Sequence, residues 1–318
     1  MKRSKTYFII LLFLFSATTV TAQESDEWIA TESFSYPVEE FKDLEVKFSY
    51  GLGSLEIKPN ESSPTIEGMV KYNEREVRPV VKFDSFGTTG VFTIKVRDKD
   101  EIRRHSKRRH NDDNDDDDDH YEYNFEFNDL LFGELKNRHE NEMNFKLPTN
   151  VRTDLSLNFG LGSAELDLTN IRISDLVIDC GLSEVEIEIN ERNPIKCKSI
   201  YIDNGLGDLS AIGLGNLRAD YISIDVGLGS ADIDLRGEDI TDMEVDVDVG
   251  LGSMDMTLPA DANIKIYVND SFLSSVNVIG LVKKKKKEWI SADWKKSRPT
   301  IEVDVSVGMG SIDIYLDD

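Results

Sequence analysis

Two series of carboxylates recur along this chain at spacings that could serve a divalent cation. Asp179, Asp203, Asp225 and Asp248 each stand two residues before a glycine, at intervals of 24, 22 and 23 residues. Glu165, Glu186, Asp232, Asp255 and Asp313 each stand five residues after one. If those intervals are the coil length of stacked strands, neighbours in a series lie about 4.8 Å apart. Carboxylates that close repel by roughly 1 kcal/mol per pair in water, and calcium, which takes oxygen ligands, would relieve the repulsion. No cofactor is expected beyond calcium, which these residues could hold, with Asp179, Asp203, Asp225 and Asp248 as its row. The plainer expectation for the same residues is a solvated acidic face that keeps the chain soluble and resists edge association.

One patch is strongly basic. Lys283, Lys284, Lys285, Lys286 and Lys287 run together, with Trp289 and Trp294 close behind. Lysines beside interfacial aromatics suit anionic lipid headgroups or an acidic polysaccharide, and a solvated lysine loop is the bland alternative. Residues 99–120 set Arg103, Arg104, Lys107, Arg108 and Arg109 against Asp112, Asp113 and Asp115 through Asp119. This stretch has only Ile102 to bury and cannot offset the entropy of ordering, so a disordered, self-neutralising loop is expected. Its His105, His110 and His120 have no fixed ligand spacing, and its aspartates lack the glycine of an EF-hand loop, so any metal binding there would be weak.

Signatures of catalysis are few. Gly-x-Ser-x-Gly is absent, and His139-Glu140-Asn141-Glu142-Met143 lacks the second histidine of a zinc protease. The serious alternative is a calcium-dependent protein that binds or cleaves polysaccharide on a β-helix. Such cleavage uses Arg or Lys beside the metal, and the regular coils carry few cations. A non-enzymatic protein is expected.

A repeated corner must position all of these residues. Gly-Leu-Gly-Ser occurs at Gly51–Gly53, Gly160–Gly162, Gly227–Gly229 and Gly250–Gly252, each followed by Ser. Variants stand at Gly181-Leu182-Ser183, Gly205-Leu206-Gly207-Asp208 and Gly308-Met309-Gly310-Ser311. Strict apolar–polar alternation flanks every corner, as in Ile222, Ile224 and Val226 before one and Ile233 and Leu235 after it. Period two excludes helical repeats. One coil cannot bury its apolar side alone, so the coils must stack. Glycine reaches positive φ and allows the turn; the leucine between the glycines is expected to point into the core, and the serine to bond nearby backbone. A phosphate-cradling fingerprint fails, because strand and not helix follows the glycines.

Ile264 to Val278 reads as one further coil whose corner, Ser271-Phe272-Leu273-Ser274, has lost its glycines. The lysine and tryptophan stretch at 282–298 reads as a loop inserted before the last coil. Strands are also expected at 65–72, 79–83 and 91–96, joined as antiparallel hairpins. The expected organisation is a signal peptide at 1–22, an N-terminal β domain at 23–150 containing the charged loop, and a repeat domain at 151–318. The fold class is all-β: a right-handed β-solenoid of about 22-residue coils with a β-rich N-terminal region.

Repeated Gly-x-Gly-Ser-x-acidic-apolar corners, closing on Val307-Gly308-Met309-Gly310-Ser311-Ile312-Asp313-Ile314, resemble the toast-rack family of bacterial envelope proteins. Its relatives include adhesin-type β-solenoid families and the C-terminal domain of cell-wall-active antibiotic response proteins. The likeness covers about residues 31–98 and 121–318. It implies a β-solenoid without a known catalytic site, often attached to envelope-stress sensing or surface interaction. The two charged insertions depart from that pattern, and so does the want of transmembrane helices.

The ends and the balance of charge agree with export. Lys2, Arg3 and Lys5, a short apolar run and Val20-Thr21-Ala22 read as a signal peptide cleaved after Ala22. Cleavage takes the net charge from −24 to −27. So acidic a chain disfavours nucleic acid as a partner and favours cations or cationic surfaces. An envelope protein, an anionic polysaccharide or a lipid surface is the expected partner, with no transmembrane segment in the mature chain. Neither cysteine stands near the leader and Asp318 closely follows the last repeat, so the periplasm is expected first and secretion or surface display second. An exported chain permits a disulfide between Cys180 and Cys197, but they stand 17 residues apart, which is not a coil length, and Cys180 falls in an inward position that reads as a buried thiol. The final strand, without a cap after it, is expected to be free to stack on a second copy.

Overall fold

The computed structural model describes residues 28–98, 141–270 and 273–317. The expected signal peptide, the charged loop at 99–120 and His139 lie outside them. In chain order the strands are β1 (Ile29–Pro37), β2 (Asp43–Asn60), β3 (Thr65–Asn73), β4 (Val77–Phe86), β5 (Thr89–Asp98) and β6 (Asn141–Pro148). They continue as β7 (Arg152–Asp167), β8 (Arg172–Glu188), β9 (Ser199–Ile212), β10 (Tyr221–Asp234), β11 (Met243–Pro259) and β12 (Asn263–Asp270). The last are β13 (Ser275–Ile279), β14 (Val282–Lys285), β15 (Glu288–Ile290), β16 (Thr300–Val307) and β17 (Ser311–Asp317). One 3-10 turn, Leu214–Leu217, completes the described elements, among which there is no α-helix. The all-β class expected from the alternation is what the structure shows.

Six long strands, β2 and β7 to β11, each pass through a glycine corner and stack in parallel, corner on corner. The register places like residues over one another. Phe92, Val46, Leu155, Leu176, Ile200, Ile222, Val245, Val303 and Ile266 form one inward column, all buried. Because the side-chain period is two, a slip of one residue would expose every such column at once, which fixes the register. The core runs as one cluster from Val38 to Ile314. At its N-terminal end the columns turn aromatic: Tyr50 stacks on Phe159 at 5.1 Å, and Phe48 meets Phe145 edge-on at 5.0 Å.

The corner is tight because each one is laid directly on another. Gly162 has φ +139°, and a Cβ built on it would overlap the Gly53 carbonyl oxygen. Glycine is required there twice over, by conformation and by space.

The two ends of the stack depart from the sequence reading. Beyond β2, its partner coil is made from two separate strands: β5 pairs with the half before the corner and β6 with the half after it. Of the expected hairpins, only β4–β5 forms, while β3 pairs antiparallel with β6 and β1. At the other end the chain does not stack in sequence order. β16 and β17 lie directly on β11, and β12 and β13 lie outside them. The last strand is therefore clamped between β11 and β13 and is not a free edge. The stretch expected as an inserted loop at 282–298 instead contains a hairpin, β14–β15, whose second strand pairs antiparallel with β12. β15 thereby covers the β12 edge over Lys265 to Tyr267.

Candidate interaction surface

The outward positions of the stacked strands carry the residues singled out by type and spacing. Asp179, Asp203, Asp225 and Asp248 stand on consecutive rungs of one ladder, all exposed. Asn158 precedes Asp179 and donates its side-chain amide to that carboxylate at 3.1 Å; Ser306 and Asn269 follow Asp248. Partial burial and then the charges of Asp179 and Asp225 push the Asp203 carboxyl above its ordinary range. Asp225 is raised by partial burial and by Asp248. Among the described residues, no three such groups converge as a metal cage would require.

The second series is interrupted: Glu165 and Glu186 are rung neighbours, Ser210 follows them, and then come Asp232, Asp255 and Asp313. A further acidic row went unnoticed in the sequence. Asp246 and Asp304 are adjacent rungs, and burial followed by Asp246 raises the Asp304 carboxyl. Tyr221 donates its hydroxyl to Asp246 at 2.6 Å.

The corner leucines face outward, against the expectation that they fill the core. Leu52, Leu161, Leu182, Leu206, Leu228 and Leu251 occupy successive rungs, and the Met309 amide donates to the Gly250 carbonyl to continue the row. Leu228 is 43% exposed, Leu251 44% and Met309 53%, the others half-buried. The physical reason lies in the alternation. Inward positions are 222, 224 and 226 before the corner but 231, 233 and 235 after it, so the corner changes parity. The space inside the turn goes to glycine, and leucine is turned out. Serine also departs from expectation: the Ser230 hydroxyl donates to the Asp208 carboxylate on the adjoining strand and not to nearby backbone. The corner glycines Gly51, Gly53, Gly160, Gly162, Gly181, Gly205, Gly207, Gly227, Gly229, Gly250, Gly252, Gly308 and Gly310 all fall at the turn.

Lys283, Lys284, Lys285, Lys286 and Lys287 are exposed on the β14–β15 hairpin. The Lys283 ammonium lies 4.4 Å from the centre of the Trp289 ring. Glu288 is buried at the base, paired with Lys285 at 2.9 Å and Lys284 at 3.9 Å, and hydrogen bonding from Lys285 holds its carboxyl below the usual range. The Lys287 ammonium donates to the Asn269 side chain at 3.1 Å. Trp294 is exposed and Trp289 partly buried. Glu288 drew no notice in the sequence, where a lone acid after five lysines signals nothing about burial.

Cys180 and Cys197 are free, buried thiols. Burial pushes Cys180 up to about 11 and Cys197 to about 12. Cys180 sits on the inward column between Phe159 and Asn204, and Asn204 accepts a weak hydrogen bond from its Sγ at 3.4 Å.

Residues 23–212 match the family model for the N-terminal domain of toast_rack, DUF2154. That match spans more than half of the chain, which belongs to this family, as its corners suggested. Among solved structures, a putative cell adhesion protein from Clostridium sporogenes ATCC 15579 is 18% identical with a TM-score of 0.46. The alignment covers 91% of this chain and 100% of that one. A putative adhesin from Bacteroides fragilis NCTC 9343 is 11% identical, TM-score 0.35, with 90% and 97% covered. Another from Parabacteroides merdae ATCC 43184 is 10% identical, TM-score 0.34, with 91% and 97% covered. No curated protein matches the chain. Among the described residues, no helix is long and apolar enough to cross a membrane.

Proposed function

We infer that the chain is a non-enzymatic, exported envelope protein, periplasmic in residence, whose stack serves as an adhesin-like interaction scaffold, with a role in the envelope stress response. The observation that carries this reading is the in-register stacking of the outward rows just before the corner, from β5 to β12, because a rigid ladder offers contacts repeatedly along one axis. The coils are read as a right-handed solenoid of about 22 residues, since parallel crossover connections in one sheet are right-handed in about 98% of cases. The Lys283–Lys287 hairpin with Trp289 and Trp294 supplies a contact for an anionic lipid or polysaccharide surface.

The test is sedimentation of the purified chain with washed envelope fractions. The scaffold reading expects co-sedimentation, weakened when the five lysines become glutamine; a chain left wholly in the supernatant would sink it. A second reading rests on the aspartate ladder: a calcium ion between adjacent rungs, about 4.8 Å apart, would meet both carboxylates near its usual oxygen distance of about 2.4 Å. Release of unsaturated sugar from a uronate polymer in the presence of calcium would favour that reading, as a polysaccharide-cleaving protein, over the scaffold.

A further inference from the structure

We propose that the corner ridge, Leu52 to Met309, is the docking surface for a cationic amphipathic helix of a partner protein, laid along the stacking axis. The proposal rests on the scaffold reading above and names the partner's chemistry. Three observations lead to it.

The first is the ridge itself. Seven apolar side chains on successive rungs, Leu52, Leu161, Leu182, Leu206, Leu228, Leu251 and Met309, form a line with its most exposed members at the β11 end. Leu273, placed two residues before Ser275 as Met309 is before Ser311, is 55% exposed and extends it. Scattered apolar residues are ordinary on a surface, whereas a contiguous row marks contact.

The second is charge. Three residues before Leu206, Leu228 and Leu251 stand Asp203, Asp225 and Asp248, so an acidic ladder runs beside the apolar one. An anionic membrane is repelled from that flank. A partner with lysine or arginine beside its apolar stripe is attracted, and its cations relieve the repulsion that helps raise Asp203 and Asp225.

The third is period. Rungs repeat at about 4.8 Å. A helix offers one contact per turn of about 5.4 Å, and over four rungs it drifts by only about half a rung. An extended strand presents same-face residues every ~6.8 Å and loses step almost at once. The helix fits the ridge, with apolar residues at i, i+3, i+4 and i+7 seated between the leucines.

The experiment uses the full chain and a synthetic helix-forming peptide of about 18 residues, with leucine at those spacings and lysine along one flank. Controls are a scrambled peptide of equal charge and a version with glutamine for lysine. Fluorescence anisotropy is expected to show the patterned peptide binding at least tenfold tighter than either control, with helical circular dichroism induced on binding. Leu206→Ser/Leu228→Ser/Leu251→Ser should abolish the advantage over the scrambled peptide, and Asp203→Asn/Asp225→Asn/Asp248→Asn the advantage over the glutamine peptide. Equal binding of patterned and scrambled peptides would overturn the proposal by reducing it to bulk charge. A concentration-dependent dimer, lost on the same leucine substitutions, would overturn it by giving the ridge to a second copy. Envelope co-sedimentation unchanged by the leucine substitutions, with no peptide preference, would refute the ridge and leave the scaffold reading standing.

Discussion

Alanine at Gly162 probes the corner where two coils lie closest. The backbone there has φ +139°, and the added Cβ would overlap the Gly53 carbonyl oxygen of the adjoining rung. The conformation alone costs about 1–3 kcal/mol for an L-residue. Pushing the carbonyl aside adds an overpacking cost of about 1–3 kcal/mol and weakens a ladder hydrogen bond worth about 1 kcal/mol. The total is about 3 kcal/mol or more. Gly87→Ala serves as an uncrowded control at a milder, left-handed conformation: Gly87 has φ +64°, but nothing lies within 4 Å of a Cβ built on it, so it should lose only about 1–2 kcal/mol. Urea unfolding of both variants, with the slope unchanged, measures the difference. Equal losses at the two positions would show that the corners do not press on one another and would refute the stacking explanation of the repeated glycine.

Other substitutions read out the remaining rows. Leu206→Ser, Leu228→Ser and Leu251→Ser should each change stability by less than about 1 kcal/mol; losses of about 2–5 kcal/mol, usual for a core leucine, would place them inside. Asp203 and Asp225 both have raised pKa values in the fold, so their protonated forms are favoured there. Their cost is absent below the unfolded value of 3.8 and grows as pH rises through the folded one. Asp203→Asn or Asp225→Asn should therefore raise the melting temperature at neutral pH and lose that gain on acidification below about 3.8; a gain independent of pH would contradict the charge explanation. Cys180 and Cys197 should resist a thiol reagent at pH about 8 until the chain unfolds, since burial suppresses both the thiolate and access; prompt labelling of the native protein would count against their placement.

Much of this architecture could be read from residue spacing. Alternation gave the strands, and intervals of 21 to 24 residues between corner glycines gave the parallel stack. The aspartate row emerged for the same reason, because equal spacing becomes vertical alignment once the coils stack. The leucine ridge was missed although its signal was present: Val226 and Ala231 are both inward, so the parity must change between them, and traced back from Ala231 it sends Leu228 outward. The order of the last strands also left a trace. Glycine opens each stacked corner, at Gly51, Gly160, Gly181, Gly205, Gly227, Gly250 and Gly308, and the sequence at 271–274 has none, so it belongs at an end, with Gly308 against Gly250. The β14–β15 hairpin and its pairing with β12 could not be foreseen, because Lys283 to Lys287 carry no alternation that would announce a strand and β15, Glu288–Ile290, is only 3 residues long. Burial of Glu288 likewise follows from that pairing and from nothing local.

Disulfide trapping tests the stacking order most directly. In a chain carrying Cys180→Ala and Cys197→Ala, one variant adds Ser253→Cys with Ser311→Cys and a second adds Ser253→Cys with Ser275→Cys. Ser311 is the rung neighbour of both Ser253 and Ser275, so the first pair stands about 4.8 Å apart and the second about 9.6 Å. A disulfide needs Cα atoms about 4.4–6.8 Å apart. The stack with β17 clamped between β11 and β13 predicts rapid, near-complete crosslinking of the first pair and none of the second. Crosslinking of Ser253→Cys with Ser275→Cys, and not with Ser311→Cys, would mean that the coils stack in chain order and would contradict the clamped strand.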